Sequence, residues 1–236
     1  MSQKTACQLI LSHRDFVIIN KPAGMDFHGH QDADDYVLGV ADWVAESLGM
    51  HKLWSVHRLD KMTSGLLILA TSSTAAAQFG ELFKQHQIQK YYLAVADKKP
   101  KKKQGWIKGD MAAARRGSFK LLPSKSHPAV TQFISTSVLP KLRLFLLKPY
   151  TGRTHQLRVA MKSLGAPILG DQRYQNQQQA QQFDRGYLHA FALQFNWQGE
   201  AISVTLAPTE GELFQKPELQ SQIQQWVAGI TSRELF

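Results

Sequence analysis

Apolar residues along the chain fall into short runs separated by turn-forming residues, and only a few stretches carry helical spacing. FVIIN (16–20) is β-rich and is closed by Lys21-Pro22-Ala23-Gly24, which predicts a strand followed by a turn. GLLILA (65–70) is short, apolar and bounded by turn residues, and predicts a buried strand. KYYLAVAD (90–97), AVTQFISTSV (129–138) and LRLFLLKP (142–149) read as further strands, and FALQFNW with AISVTLA as a final hairpin. DDYVLGVADWVAESLG (34–49) has helical spacing, acidic residues at its start and Gly49 at its end. SSTAAAQFGELFKQHQ (72–87), with capping serines and alanines, and PELQSQIQQWVAG also predict helices. In THQLRVAMKSLG (154–165), Leu157, Ala160, Met161 and Leu164 mark a core-facing stripe and Gly165 a stop. Thr154, His155 and Arg158 then share a different face of that helix. QNQQQAQQ (175–182) is of low complexity and predicts a surface loop.

Strands outnumber helices and follow one another without regular βαβ alternation. The expected class is therefore α+β, a mixed and largely antiparallel sheet flanked by helices. No internal repeat or separating linker is visible, so the 236 residues are expected to form a single domain spanning residues 1–236.

Composition narrows the setting. With 43% hydrophobic and 19% charged residues the chain reads as ordinary and globular. No apolar run is long enough for a membrane span, and the N-terminal apolar stretch is cut short by His13, Arg14 and Asp15. Cys7 is the single cysteine, which excludes an intramolecular disulfide and a thiolate zinc cluster. A cytoplasmic location is the expectation.

Charge is concentrated. The net charge is +10, and residues 98–125 hold ten Lys or Arg against the single Asp110, leaving the rest nearly neutral. Such a segment suits a polyanion, whose phosphates it neutralises with release of counterions. Trp106 and Phe119, interleaved with arginines and lysines, add stacking surfaces. The segment, residues 98–125, is expected to form a basic arm or hairpin that contacts RNA through Lys101, Lys102, Lys103, Arg115 and Arg116.

One carboxylate stands out. In HRLD (57–60) the side chains of Arg58 and Asp60 are two apart and project to one side of an extended segment. A neighbouring guanidinium keeps such a carboxylate ionised and oriented, fit to act as nucleophile or base. From these residues alone, a local ion pair at a turn is the simpler reading. KPYTGRTHQLRVAMKSLGAPILGD adds Lys148, Arg153, His155 and Arg158 around a Thr-Gly turn and a helix start, an anion-favouring arrangement. The chain has no GxxxxGK[ST], HExxH or GxGxxG motif, which points to chemistry without a metal or cofactor.

Together these stretches resemble the RluA-type pseudouridine synthase family. HRLDKMTSGLLILA is similar to the family's HRLDxxTSGLL motif, VIINKPAGMDFH to its NKPAG motif, and KYYLAVA to its K-x-Y-x-A-x-V strand. TGRTHQLRVAMKSLGAPILGD is similar to its GRTHQIR…G-x-P-I-x-GD block and LHAFAL (188–193) to its late LHA motif. One departure is RVAM in place of the more usual RVHL.

The resemblance implies the synthase catalytic fold with a central cleft, and isomerisation of uridine in RNA to its C5-glycoside without a cofactor. It makes Asp60 the catalytic aspartate and Tyr92 the residue that stacks on the uracil and assists proton removal. Arg158 would pair with Asp60, Arg58 would help fill the space left by a flipped base, and Leu188 would line the uracil pocket. His57, Thr63, Arg153 and His155 are expected among the substrate-binding residues. The implied partner is a structured ribosomal or transfer RNA, bound by a monomer with no obligate protein partner. No S4-type module precedes the first motif, so the arm is expected to supply much of the RNA affinity. Two other readings differ in their demands. A non-catalytic RNA-binding protein would not need Asp60, Tyr92 and Arg158 together, and a glycosidase would need a second positioned carboxylate.

Overall fold

FVIINK forms an inner strand in the computed structural model, which describes residues 7–32 and 35–232. The chain divides into two units, residues 1–87 and 88–236. The first contains β1 (Gln8–Ser12), β2 (Phe16–Lys21), β3 (His30–Asp32), β4 (Asp35–Val37), α1 (Val40–Leu48), β5 (Trp54–Ser55), β6 (Ser64–Ala70) and α2 (Ser73–Lys84). β2 lies between β1 and β6, running antiparallel to both, from Phe16 opposite Ala70 to Lys21 opposite Gly65. β5 adds to the end of β6, and β3 and β4 form a separate hairpin. Every residue of β6 is buried, which explains a continuous apolar run where a half-exposed strand would alternate. The Ser72 hydroxyl accepts from the Ala75 amide to cap α2, whose Phe79 meets Phe16 edge-on with ring centroids 5.3 Å apart.

The helix predicted over 34–49 starts later, at Val40. Tyr36 and Val37, aromatic and β-branched, pair with Gln31 and His30 as strand, and Asp34 lies outside the described residues. Gly39 then brings the backbone so close to Phe27–Gly29 that a β-carbon there would crowd the Gly29 amide, and the Val40 amide donates to the Phe27 carbonyl. At the other end Gly49 takes a left-handed conformation (φ 64°) and closes α1 as expected.

The second unit contains β7 (Gln89–Ala96), β8 (Gln104–Gly109), β9 (Met111–Ala113), β10 (Phe119–Leu121), β11 (Ala129–Leu139), β12 (Leu142–Pro149), α3 (Gln156–Ser163), α4 (Gln177–Ala180), β13 (Leu188–Trp197), β14 (Glu200–Thr205) and α5 (Pro217–Ser232). Its strands run antiparallel in the order β14-β13-β7-β12-β11-β8, with β9 and β10 a separate hairpin.

Register assigns the two faces of this sheet, since directly paired residues point the same way. Phe133 pairs with Leu147, Leu147 with Tyr92, and Tyr92 with Ala190, so these four share a face. α3 covers that face, where Gln156 donates from Nε2 to the Thr131 hydroxyl at 3.0 Å. α5 packs on the opposite face, burying Leu219, Ile223, Trp226 and Ile230, and Gln194 donates to its Ile230 carbonyl at 3.3 Å.

One other expectation changes. The glutamine-rich stretch contains a short helix, α4, because Asn176 caps it by accepting from the Gln179 amide. Within the basic segment β9 and β10 form a hairpin, and β8 before them joins the large sheet, a strand the sequence did not indicate. No helix among the described residues is long and apolar enough to cross a membrane.

Candidate active site

Asp60 sits in a turn built almost entirely by backbone carbonyls and one lysine. Lys21, at the end of β2, is fully buried, and its ammonium donates to the carbonyls of Pro22 (2.9 Å), Lys61 (3.3 Å) and Thr63 (3.0 Å). The Thr63 amide donates back to the Asp60 carbonyl at 2.9 Å, and the Gly24 amide to the Lys61 carbonyl at 2.8 Å. The NKPAG and HRLD motifs are thus one local structure, in which a buried cation joins the Pro22 carbonyl to those of Lys61 and Thr63, just after Asp60. Lys61 adds an ion pair to Asp26 at 2.7 Å. Thr63 is buried and His57 accepts the Ile68 amide on Nε2 at 2.9 Å, so both residues help build the loop. Leu59 points into the core, Asp60 is half-buried, and exposed Arg58 places its guanidinium 5.8 Å from the Phe27 ring centroid.

The second unit organises GRTHQLR around Gln156. Its Oε1 accepts from the Thr151 hydroxyl (2.7 Å) and the Arg153 amide (3.0 Å), while Nε2 donates to the Val130 carbonyl (3.1 Å) and Thr131. Every polar atom of this buried amide is therefore engaged in joining the turn to β11. His155 precedes the helix in a left-handed conformation (φ 56°), so the shared helical face expected for Thr154, His155 and Arg158 does not form. Exposed Arg153 donates to the His127 carbonyl at 3.4 Å.

Arg158 is buried and makes a bidentate pair with Asp171, Nε and Nη2 each 2.8 Å from a carboxylate oxygen. Asp171 also accepts the amides of Arg173 (3.0 Å) and Tyr174 (3.2 Å). The residue before it must be glycine: Gly170 has φ 74°, and a β-carbon there would collide with the Arg185 carbonyl. Leu169 ties this loop to β7, donating to the Val95 carbonyl at 2.9 Å while its own carbonyl accepts the Tyr187 amide at 2.9 Å. The Gly-Asp pair at the end of the motif block is thereby the mount for Arg158.

Tyr92 and Leu188 lie on the sheet face covered by α3, because Leu188 pairs with Ala94 and Tyr92 with Ala190. β13 slips register between Ala190 and Ala192, placing an irregularity beside Tyr92. Tyr91 points to the other face and donates to Gln89 at 2.9 Å, so the two tyrosines divide as the strand geometry requires. Lys90 is on the Tyr92 face, and burial lowers its pKa below the ordinary lysine value.

The basic hairpin is docked onto α3. The Phe119 amide donates to the Tyr174 hydroxyl at 2.9 Å, the same hydroxyl lies 2.9 Å from His155 Nδ1, and Arg173 donates to the Arg116 carbonyl at 2.9 Å. Arg115 and Arg116 remain exposed, as do Lys101, Lys102 and Lys103 in the loop before β8. Asp110 accepts the amides of Ser126 (3.0 Å) and His127 (2.8 Å), and hydrogen bonding, led by Ser124, holds its carboxyl below the usual range.

Sequence reasoning missed Lys21, Gln156, Asp171 and Tyr174. All four sit inside or beside the motifs, but they act on backbone groups or on residues distant in sequence, which spacing does not show. Among the described residues no His, Cys, Asp and Glu cluster suitable for a metal ion is present.

The family model described as RNA pseudouridylate synthase matches residues 15–163. An uncharacterized RNA pseudouridine synthase of Haemophilus influenzae is 51% identical over 217 residues, covering 92% of this chain and 94% of the relative. A ribosomal large subunit pseudouridine synthase C of Rickettsia bellii is 34% identical, with 77% of this chain and 61% of the relative covered. For a tRNA pseudouridine synthase C of Yersinia pestis the values are 34%, 84% and 85%. The structure of human RNA pseudouridylate synthase domain containing 4 superposes with a TM-score of 0.73 at 26% identity, covering 90% of this chain and 93% of that one. From Asp60 in its HRLD turn to the GRTHQLR block, the chain belongs to the RNA pseudouridylate synthase family, whose members are isomerases.

Proposed function

We propose that this protein isomerises uridine to pseudouridine at specific positions of ribosomal or transfer RNA, with Asp60 as the catalytic carboxylate. The observation that carries the reading is the Lys21 ammonium gripping the carbonyls of Lys61 and Thr63, which fixes the turn that presents Asp60. A turn tied in this way holds its carboxylate in place before substrate arrives, which lowers the cost of orienting it for reaction. Relatives named for ribosomal and transfer RNA support the substrate class.

In this reading the target nucleotide is drawn out of its helix, because C1′, N1 and C5 are inaccessible in a stacked strand. The C1′–N1 bond breaks, the uracil turns while held, C5 bonds to C1′, and the C5 proton is lost as N1 gains one. Asp60 serves by attacking the nucleoside or by taking a sugar proton. Tyr92 stacks on the uracil and assists removal of the C5 proton, and Leu188 lines its pocket. The family resemblance assigns Arg158 to Asp60, and that assignment is part of the proposal. Arg58 helps fill the space left by the flipped base, and Arg153 and His155 are among the residues that bind the substrate. Lys101, Lys102, Lys103, Arg115 and Arg116 bind phosphates.

The test is tritium release from cellular RNA labelled at uridine C5. Wild type releases tritium without forming an abasic product, and Asp60→Asn reduces the rate on the order of 100-fold or more, the scale expected on losing an essential acid–base or nucleophilic group. No release from any cellular RNA, or undiminished release by the variant, overturns the proposal.

A further inference from the structure

The sheet of the second unit carries a cluster of rings and ammonium groups on the face turned away from Tyr92. Register aligns Trp106 of β8 with Gln132 of β11 and Gln132 with Lys148 of β12, three side chains abreast across the end of the sheet. Tyr150 joins them just past β12: its ring centroid lies 5.0 Å from that of Trp106, inclined by 39°, and its hydroxyl donates to Gln132 Oε1 at 2.9 Å. The ammonium of Lys108 stands 4.6 Å from the Trp106 ring and that of Lys148 5.4 Å from the Tyr150 ring. Further along this face Leu144 and Leu146 are fully buried, whereas Trp106 is 49% and Tyr150 38% exposed.

Burial does not account for this group. A tryptophan half in water on the outermost strand gives up much of the stabilisation a covered ring provides. The hydroxyl bond to Gln132 holds the Tyr150 ring in place beforehand, which lowers the ordering cost of any ligand that stacks on it. Two lysines beside two flat rings, with no acid among the five residues, suit a flat base attached to a phosphate. A cationic peptide would be repelled by the lysines already there, and a duplex would leave the rings without exposed base faces.

We propose that Trp106, Tyr150, Lys108 and Lys148 form a second RNA site, which stacks an unpaired nucleotide of the substrate outside the target uridine. The site rests on the RNA-modifying reading above and extends it: the RNA engages the β8 edge from both sides, with the docked hairpin on one face and the rings on the other. Recognition then depends on an unpaired nucleotide flanking the modified stem.

The experiment measures fluorescence anisotropy of a labelled single-stranded eight-nucleotide RNA on the full-length protein, with tritium release followed in parallel. Trp106→Ala is expected to weaken binding roughly 5- to 150-fold, the range for loss of one base–aromatic stack. Trp106→Phe recovers most of the affinity, and Lys108→Gln lowers the slope of log K against log salt by about 0.7, the value for one phosphate on a single strand. Unchanged binding by a folded Trp106→Ala, no binding by wild type, or a wild type that prefers an acidic peptide or its own second copy overturns the site. Activity with Trp106-independent binding refutes this inference alone; Trp106-dependent binding without activity refutes the catalytic reading alone.

Discussion

Arg158 and Asp171 meet through two hydrogen bonds of 2.8 Å with both side chains out of solvent, and the loop that supplies Asp171 is fastened to β7 through Leu169. The arginine proposed to serve Asp60 is thus held by a carboxylate thirteen residues further on. Asp171→Asn should lower the unfolding free energy by on the order of 3 kcal/mol, the scale for truncating one partner of a buried pair. Urea denaturation reads this directly. Arg158→Lys keeps the charge but loses the planar fork, so it should also destabilise and should not restore full activity.

Lys21→Met preserves much of the buried volume and removes the donor shared by three carbonyls. The expected cost is about 1–3 kcal/mol for each carbonyl left dry, reduced where water enters. Activity should fall more than the population of folded protein does, because two of the affected carbonyls, those of Lys61 and Thr63, belong to the turn just after Asp60. A kcat unchanged when measured per folded molecule would show that the turn holds without its lysine.

These two residues also show what was legible in the sequence. The strands FVIIN, GLLILA, LRLFLLKP and the helix at 72–87 announced themselves because burial and capping are local properties of a run. β8 to β10 were not visible, since lysines and glycines there mask a strand whose partner, β11, begins twenty residues later. Asp60 could be singled out by motif, while Lys21 and Asp171 could not: a residue that acts by holding a carbonyl or an arginine leaves no periodic trace. Arg58 illustrates the opposite limit, because spacing two residues from Asp60 suggested its side but not that it would lie over Phe27.

His189 is fully buried beside the Leu206 carbonyl at 2.9 Å, and burial pushes its pKa from 6.5 down to about 3. The unfolded chain therefore takes up a proton below pH 6.5 that the folded chain refuses until about pH 3. Stability should fall as the pH drops through that window, by at most about 1.4 kcal/mol per pH unit from this residue. His189→Gln, at some cost in stability at pH 7, should make the decline between those limits shallower. Thermal melts at stepped pH give the comparison, and an unaltered slope would assign the acid sensitivity elsewhere.

Replacing Lys101, Lys102, Lys103, Arg115 and Arg116 by alanine should weaken binding of full-length substrate RNA at low salt and leave kcat at saturating RNA nearly unchanged. The salt slope should drop by about 0.7–0.9 for each phosphate no longer neutralised. An identical slope in the variant would mean that these exposed cations meet solvent and not RNA.

Asp110 gives that measurement an unusually clear baseline. Its carboxylate is held by Ser124 and by the amides of Ser126 and His127, so the one acid among ten basic residues braces the root of the segment. If the segment binds RNA as proposed, each phosphate it neutralises frees counterions condensed on the RNA, so part of the affinity comes from the mixing entropy of small ions and is lost when salt is added.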